Sequence, residues 1–278
     1  MVLESLRPGG PVNIHHLVIE SPLKPDSGLP FDAKRDITKS DLRAMDEKAK
    51  ADIKDRVFYR SDILVCASLK LLFPNRQLPI DDFNDQGNFE LVKDFVDLGL
   101  AVDVLAAKIL YPQVQIEDYG KVGQARFKRM LDDAHDYWIK RDMSLYELAD
   151  LKMFNPEGIA DILADDGFKD YVLKDVQKRR VDQNWYHLGL DAASARVILG
   201  DDFDLEISKT DWQGMHKELE DLRAGNAWYV FAELARNMQI LAAEKVRVTP
   251  NEGLVLVMPK PKEDFKAEIP PLPQMRRF

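Results

Sequence analysis

Histidine is the side chain that most often binds metal or moves protons near neutral pH, so the five histidines are weighed first. His15, His16, His135, His187 and His216 are scattered, and no two stand at i,i+4 on a helix, so their spacing builds no metal or catalytic constellation. Asp132, Asp133, His135 and Asp136 are the densest group of ligand-type residues. Asp132 and Asp136 share a helix face, but a metal site needs a second contributing segment, so the group reads as a charged surface. No glycine-rich phosphate loop, G-x-S-x-G elbow or paired Cys and His arrangement occurs. These residues support no enzyme and require no cofactor. What remains is positive charge. Lys128, Arg129, Lys140, Arg141, Lys152, Lys169 and Lys174 flank one stretch of short helices, where cations can hold phosphate oxygens. Lys178-Arg179-Arg180 is the densest positive run, and beside Asp175 and Asp182 it reads as a solvated or ion-paired helix face.

The elements that position these cations run from Met143 to Leu199. Ser144-Leu145-Tyr146-Glu147 has the form of a capping box and opens a helix of about two turns. Asn155 and Pro156 then restart the chain as an N-cap and a first helical residue, which forces a sharp corner, the outline of a helix-turn-helix. Its second helix, Pro156 to Asp165, is acidic and lacks the Arg, Asn or Gln that read base edges. The corner therefore admits two readings, a DNA-binding unit and an ordinary helical turn. Beyond it, Phe168, Val172, Val176, Val181, Trp185, Leu188, Ala192, Ala195 and Leu199 recur at mostly three- and four-residue steps and trace one long helix. Trp138, Trp185, Trp212 and Trp228 fall on apolar helix faces and read as core.

The chain of 278 residues is 45% hydrophobic, enough for a real core, and its formal charge of −9 argues against a protein that coats nucleic acid. Any DNA contact must be local. Cys66 is the single cysteine, which excludes an intramolecular disulfide and a thiolate cage. No apolar run reaches the roughly 18–20 residues that cross a bilayer, and the first residues lack a signal-peptide core. The expectation is a protein of a reducing, aqueous compartment such as the cytoplasm, with no membrane partner.

The expected fold class is mainly α. Residues 1–37 are a proline-rich extended arm. Residues 38–115 form an N-terminal helical domain, with helices from Thr38 to Val57, from Ile63 to Phe73 after a Ser61 cap, and from Phe89 to Leu110. Residues 116–200 hold a helix to Arg141, the helix-turn-helix and the long helix. Residues 201–258 hold a helical hairpin and a β-hairpin for assembly. Thr210-Asp211-Trp212-Gln213 caps the first helix of that pair, Gly225 suits its left-handed end, and Ala227 to Glu244 is the second. Val246 to Met258 is the one convincing β signal, and a lone hairpin needs a packing partner. Residues 259–278, with Pro259, Pro261, Pro270, Pro271 and Pro273, are a flexible tail suited to docking.

From Leu145 to about Leu199 the order of parts resembles the small terminase subunits of tailed bacteriophages. The resemblance rests on Leu145-Tyr146-Glu147-Leu148-Ala149, on Asn155-Pro156-Glu157-Gly158-Ile159-Ala160, and on the opening Asp165-Asp166-Gly167-Phe168-Lys169-Asp170-Tyr171-Val172, followed by paired helices, a β-hairpin and a tail. It covers about half of the chain. It implies a non-enzymatic viral DNA-packaging protein in the host cytoplasm that binds double-stranded DNA as a homo-oligomer and gains affinity from multivalency. It assigns DNA contact to Ser144, Lys152, Asn155 and Lys169, with Lys140 and Arg141 beside them. Assembly falls to residues 210–258, and docking of the large terminase subunit, or another virion protein, to the tail. The alternative is a virion structural or assembly adaptor that reads no DNA, in which arm, hairpin and tail are straps between subunits.

Overall fold

The computed structural model describes residues 28–54, 60–78, 108–112, 115–140, 144–249 and 253–259; of residues 51–54, 60–63, 137–140 and 166 only the backbone is described. The fold is mainly helical and closes with a two-stranded antiparallel sheet. Helices α1 (Ala33–Asp36), α2 (Lys39–Lys54) and α3 (Arg60–Leu72) come first. A 3-10 turn, Ile116–Asp118, precedes α4 (Lys121–Lys140), α5 (Leu145–Phe154), a second 3-10 turn (Glu157–Ile159), α6 (Ala160–Leu163), α7 (Asp166–Val181) and α8 (Trp185–Leu199). After a third 3-10 turn, Gly200–Asp202, come α9 (Lys209–Ala224), α10 (Trp228–Ala242), β1 (Lys245–Thr249) and β2 (Gly253–Val257).

Helix α10 is the hub, because every residue from Phe231 to Leu241 is buried. It packs on α3, α8, α9 and α2, while α8 packs in turn on α5 and α7. Burying a Phe or Leu side chain contributes ~1.5–3 kcal/mol, so a helix buried on all sides holds its neighbours strongly. Helices α2 and α3 thus share one core with the carboxyl-terminal helices. A helix buried all round must also satisfy its polar residues. The Tyr186 hydroxyl donates to the Glu233 carboxylate, and the Ala33 amide donates to Gln239 Oε1 at 3.2 Å. Burial, then the adjacent Glu233 carboxylate, holds the Tyr186 hydroxyl far above the ordinary phenol range.

Several local expectations hold and others shift. The Thr38 cap is present: its amide donates to Asp41 Oδ2 at 2.8 Å, and the Asp41 amide donates to Thr38 Oγ1 at 3.1 Å. The stripe from Phe168 to Leu199 is two helices rather than one. Gln183 adopts φ 52°, its amide donates to Arg180 O, and the Asn184 amide donates to Arg179 O, which together close α7 in a Schellman turn. Asn184 then caps α8 by accepting from the His187 amide. Helix α9 is capped by Ser208 rather than Thr210, because Ser208 and Asp211 form the reciprocal box themselves. It ends in the same kind of turn, with Asn226 at φ 55° taking the left-handed position expected of Gly225. Of the helix expected from Phe89 to Leu110, residues 89–107 lie outside the described residues, as do the arm as far as residue 27 and the tail from residue 260.

The hairpin register pairs Lys245 with Val257 and Thr249 with Gly253. Gly253, at φ 67°, lets the strand pass close to the Lys108 carbonyl, where a Cβ would stand at 3.2 Å. β1 packs on α8, α5 and the third 3-10 turn, which supplies the cover that a lone hairpin needs. No helix of the described residues is long and apolar enough to cross a membrane.

Candidate functional site

Among the residues expected to hold phosphate, Lys152 and Lys169 have partners within the chain, while Lys128 and Asn155 line one groove. Ser144 precedes α5, but its hydroxyl donates to the Glu147 carboxylate and caps no backbone amide. The Lys152 ammonium turns inward and donates to the Ile198 carbonyl in the last turn of α8. Burial pushes its pKa below the ordinary lysine value, opposed by the nearby Asp202 carboxylate. Lys169 pairs with Asp204 at 3.0 Å. Asn155 ends α5, and its side-chain oxygen accepts from the Gly158 amide at 3.0 Å. Lys140 is the last residue of α4 and its side chain lies outside the described residues, as does the whole of Arg141.

The segment expected as a reading helix is a 3-10 turn and one α turn, with Ile159 and Ile162 buried. His135 fastens it to α4, with Nε2 3.0 Å from the Gly158 carbonyl and Nδ1 3.5 Å from Asp161. The ligand-type group around His135 gathers no three metal-ligating side chains among the described residues. In the run Lys178-Arg179-Arg180, Arg179 meets Asp191 at 2.7 Å and Arg180 meets Asp211 at 2.8 Å, so two of the three cations fasten α7 to α8 and α9. Trp212 is buried and Trp185 and Trp228 are half-buried against the core; the Trp138 side chain lies outside the described residues.

A different feature does emerge, an open groove of about 490 Å³ between α4 and α5. It is held open by an aromatic cluster: Phe127 of α4 lies 5.0 Å from Phe154 of α5 and 5.3 Å from Tyr119, measured between ring centroids. Ile116, Phe127, Leu131 and Leu151 supply its apolar lining, and Lys121, Gln124, Lys128 and Asn155 its polar rim. Gln124 is fixed by donating to the Tyr119 carbonyl at 2.7 Å. Lys121 and Lys128 are exposed and make no ion pair or hydrogen bond through their side chains among the described residues. Seven residues of helix place them ~10 Å apart along the axis. Helix α4 also carries no acid in its first turn. A cation at a helix N-terminus meets the positive end of the peptide dipoles, so Lys121 costs the helix a little stability.

A second concavity, about 620 Å³, lies along the outer face of α7, lined by Gly167, Asp170, Tyr171, Lys174, Asp175 and Lys178. Of these, Lys174 and Lys178 are exposed cations, balanced by two acids on the same face.

Sequence reasoning missed Lys121 and the α4–α5 groove. The signal within α4 was present, two lysines seven apart over Phe127 and Leu131, but the opposite wall is Leu151, whose approach depends on tertiary packing. Compared with family models, curated proteins and solved structures, the chain matches none.

Proposed function

We propose that this chain is a non-enzymatic assembly adaptor, a helical body that holds a partner segment in the α4–α5 groove. One observation carries the reading: the groove joins an apolar floor to two lysines unpaired among the described residues, while Lys152 is engaged inside the fold and Lys169 at its surface. An apolar floor with a few placed polar groups is the usual form of a recognition site. The resemblance to small terminase subunits supports a setting in viral packaging or virion assembly. Light scattering on the full chain, alone and with a long DNA duplex at low salt, tests the reading. An oligomer whose mass ignores DNA is expected; a monomer at every concentration would overturn it.

A second reading, weak DNA binding by an oligomer, is favoured by Lys174 and Lys178 beside Gly167 and Tyr171 on the α7 concavity. Cations can hold phosphates there while a ring meets a base or sugar. A DNA-dependent rise in mass that reverses at higher salt would select it.

A further inference from the structure

We infer that the occupant of the α4–α5 groove is the carboxyl-terminal segment of a second copy of this chain, seated by Phe265 and Ile269 and oriented by acids facing Lys121 and Lys128. This rests on the adaptor reading and names its partner. The groove asks for a ligand with an apolar body and negative charge at its margins, because its lining is largely apolar and its two exposed rim ammoniums have no partner among the described residues. The sequence beyond β2 has that chemistry: Glu263-Asp264-Phe265-Lys266-Ala267-Glu268-Ile269 places three carboxylates and one ammonium around two apolar side chains. Asp264 and Glu268 stand four residues apart, a reach of ~13 Å in extended chain, which spans lysines ~10 Å apart.

The direction of β2 favours a neighbouring copy. The strand starts at Gly253, beside Lys108 and Pro112, and Lys108 in turn lies 5.1 Å over the ring of Phe154 at the groove end of α5. It runs from there towards Met258, whose sulfur accepts from Gln239 of α10 at 2.9 Å. The described strand thus begins beside Lys108, near the end of α5, and its end rests against α10. A segment passed from copy to copy in this way links subunits head to tail and closes into a ring when the rotation permits.

The test uses the full chain in four forms, native, Lys121→Glu with Lys128→Glu, Glu263→Lys with Asp264→Lys and Glu268→Lys, and all five changes together. Self-association is measured by light scattering over a concentration series at low salt, with circular dichroism to verify unchanged helix content. Each partial reversal sets like charges together and is expected to weaken association about tenfold, which the combined reversal restores. Native-like association in both partial reversals, or a combination as weak as either, would overturn the inference and leave the adaptor reading intact. A native chain that stays monomeric removes both. If the groove reversal instead abolishes binding of a DNA duplex with association unchanged, the occupant is nucleic acid and the inference falls.

Discussion

The cations of the interior and those of α4 have opposite fates. Three cationic side chains of the interior end on helix carboxyl termini. Lys152 reaches Ile198 of α8, Arg196 reaches the carbonyls of Leu241, Ala243 and Glu244 at the end of α10, and Arg223 reaches the Asp36 carbonyl closing α1. The last helical carbonyls lack internal donors and carry the negative end of the dipole, so a cation serves both needs at once. On α4, Lys121 and Lys128 make no ion pair or side-chain hydrogen bond among the described residues, and Lys121 stands at the unfavourable end of its helix. A lysine on a terminal carbonyl is structure, whereas one held against the dipole, beside an apolar groove, is available to a ligand. The type of residue is the same in both places, and only its position relative to helix ends separates them.

The contrast is broken most forcefully at Arg196. Replacing Arg196 with Met strands three carbonyls at the end of α10, and a loss of about 2–4 kcal/mol is expected in chemical denaturation. A loss below about 0.5 kcal/mol would show that solvent serves those carbonyls equally well.

Lys152→Met should cost less, about 1–2 kcal/mol at neutral pH, because one carbonyl is stranded while the cost of burying a charge is relieved. Its pH signature has a definite sign. The folded chain releases the Lys152 proton below 10.5 while the unfolded chain still holds it, so stability rises with pH from the lowered value up to about 10.5. The variant should show a flatter curve over that alkaline window, and an identical slope would mean that burial does not perturb this lysine.

On the α4 side the expected changes are small. Lys121→Glu should leave stability unchanged or raise it by about 0.3–1 kcal/mol through the helix dipole, in a thermal melt of the same sample used for association. A clear loss would place Lys121 in the fold and erase the distinction between the two regions. Smallest of all is Lys169→Ala, which removes an exposed, solvent-screened pair with Asp204 and should leave the denaturation midpoint unchanged. A measurable loss would move Lys169 into the class of Lys152.

The same distance rule explains what could be read from the sequence. Signals that act within four residues were legible: the Thr38 and Asp41 box, the hairpin, and the α-rich class. Ser208-Lys209-Thr210-Asp211 and Thr210-Asp211-Trp212-Gln213 are competing caps, and the outcome favours the one whose Asp211 also meets Arg180 across to α7. The left-handed closure at Gln183 escaped notice, and the one expected at Gly225 falls one residue later at Asn226, because neither position is a glycine. Lys152 was expected at a phosphate because its partner, the carbonyl of Ile198, is 46 residues away. The groove was hidden for that reason too, since its two walls come from separate helices that meet in part through the rings of Phe127 and Phe154.

The place of α10 in the chain matters for how the protein is made. The helix on which α2 and α3 pack begins at Trp228, whereas α3 ends at Leu72. At ribosomal speeds of about 5–20 residues per second, the interval between the two is on the order of ten to thirty seconds. During that time α2 and α3 can pack on each other, but the faces that α10 covers in the finished fold lack their native partner.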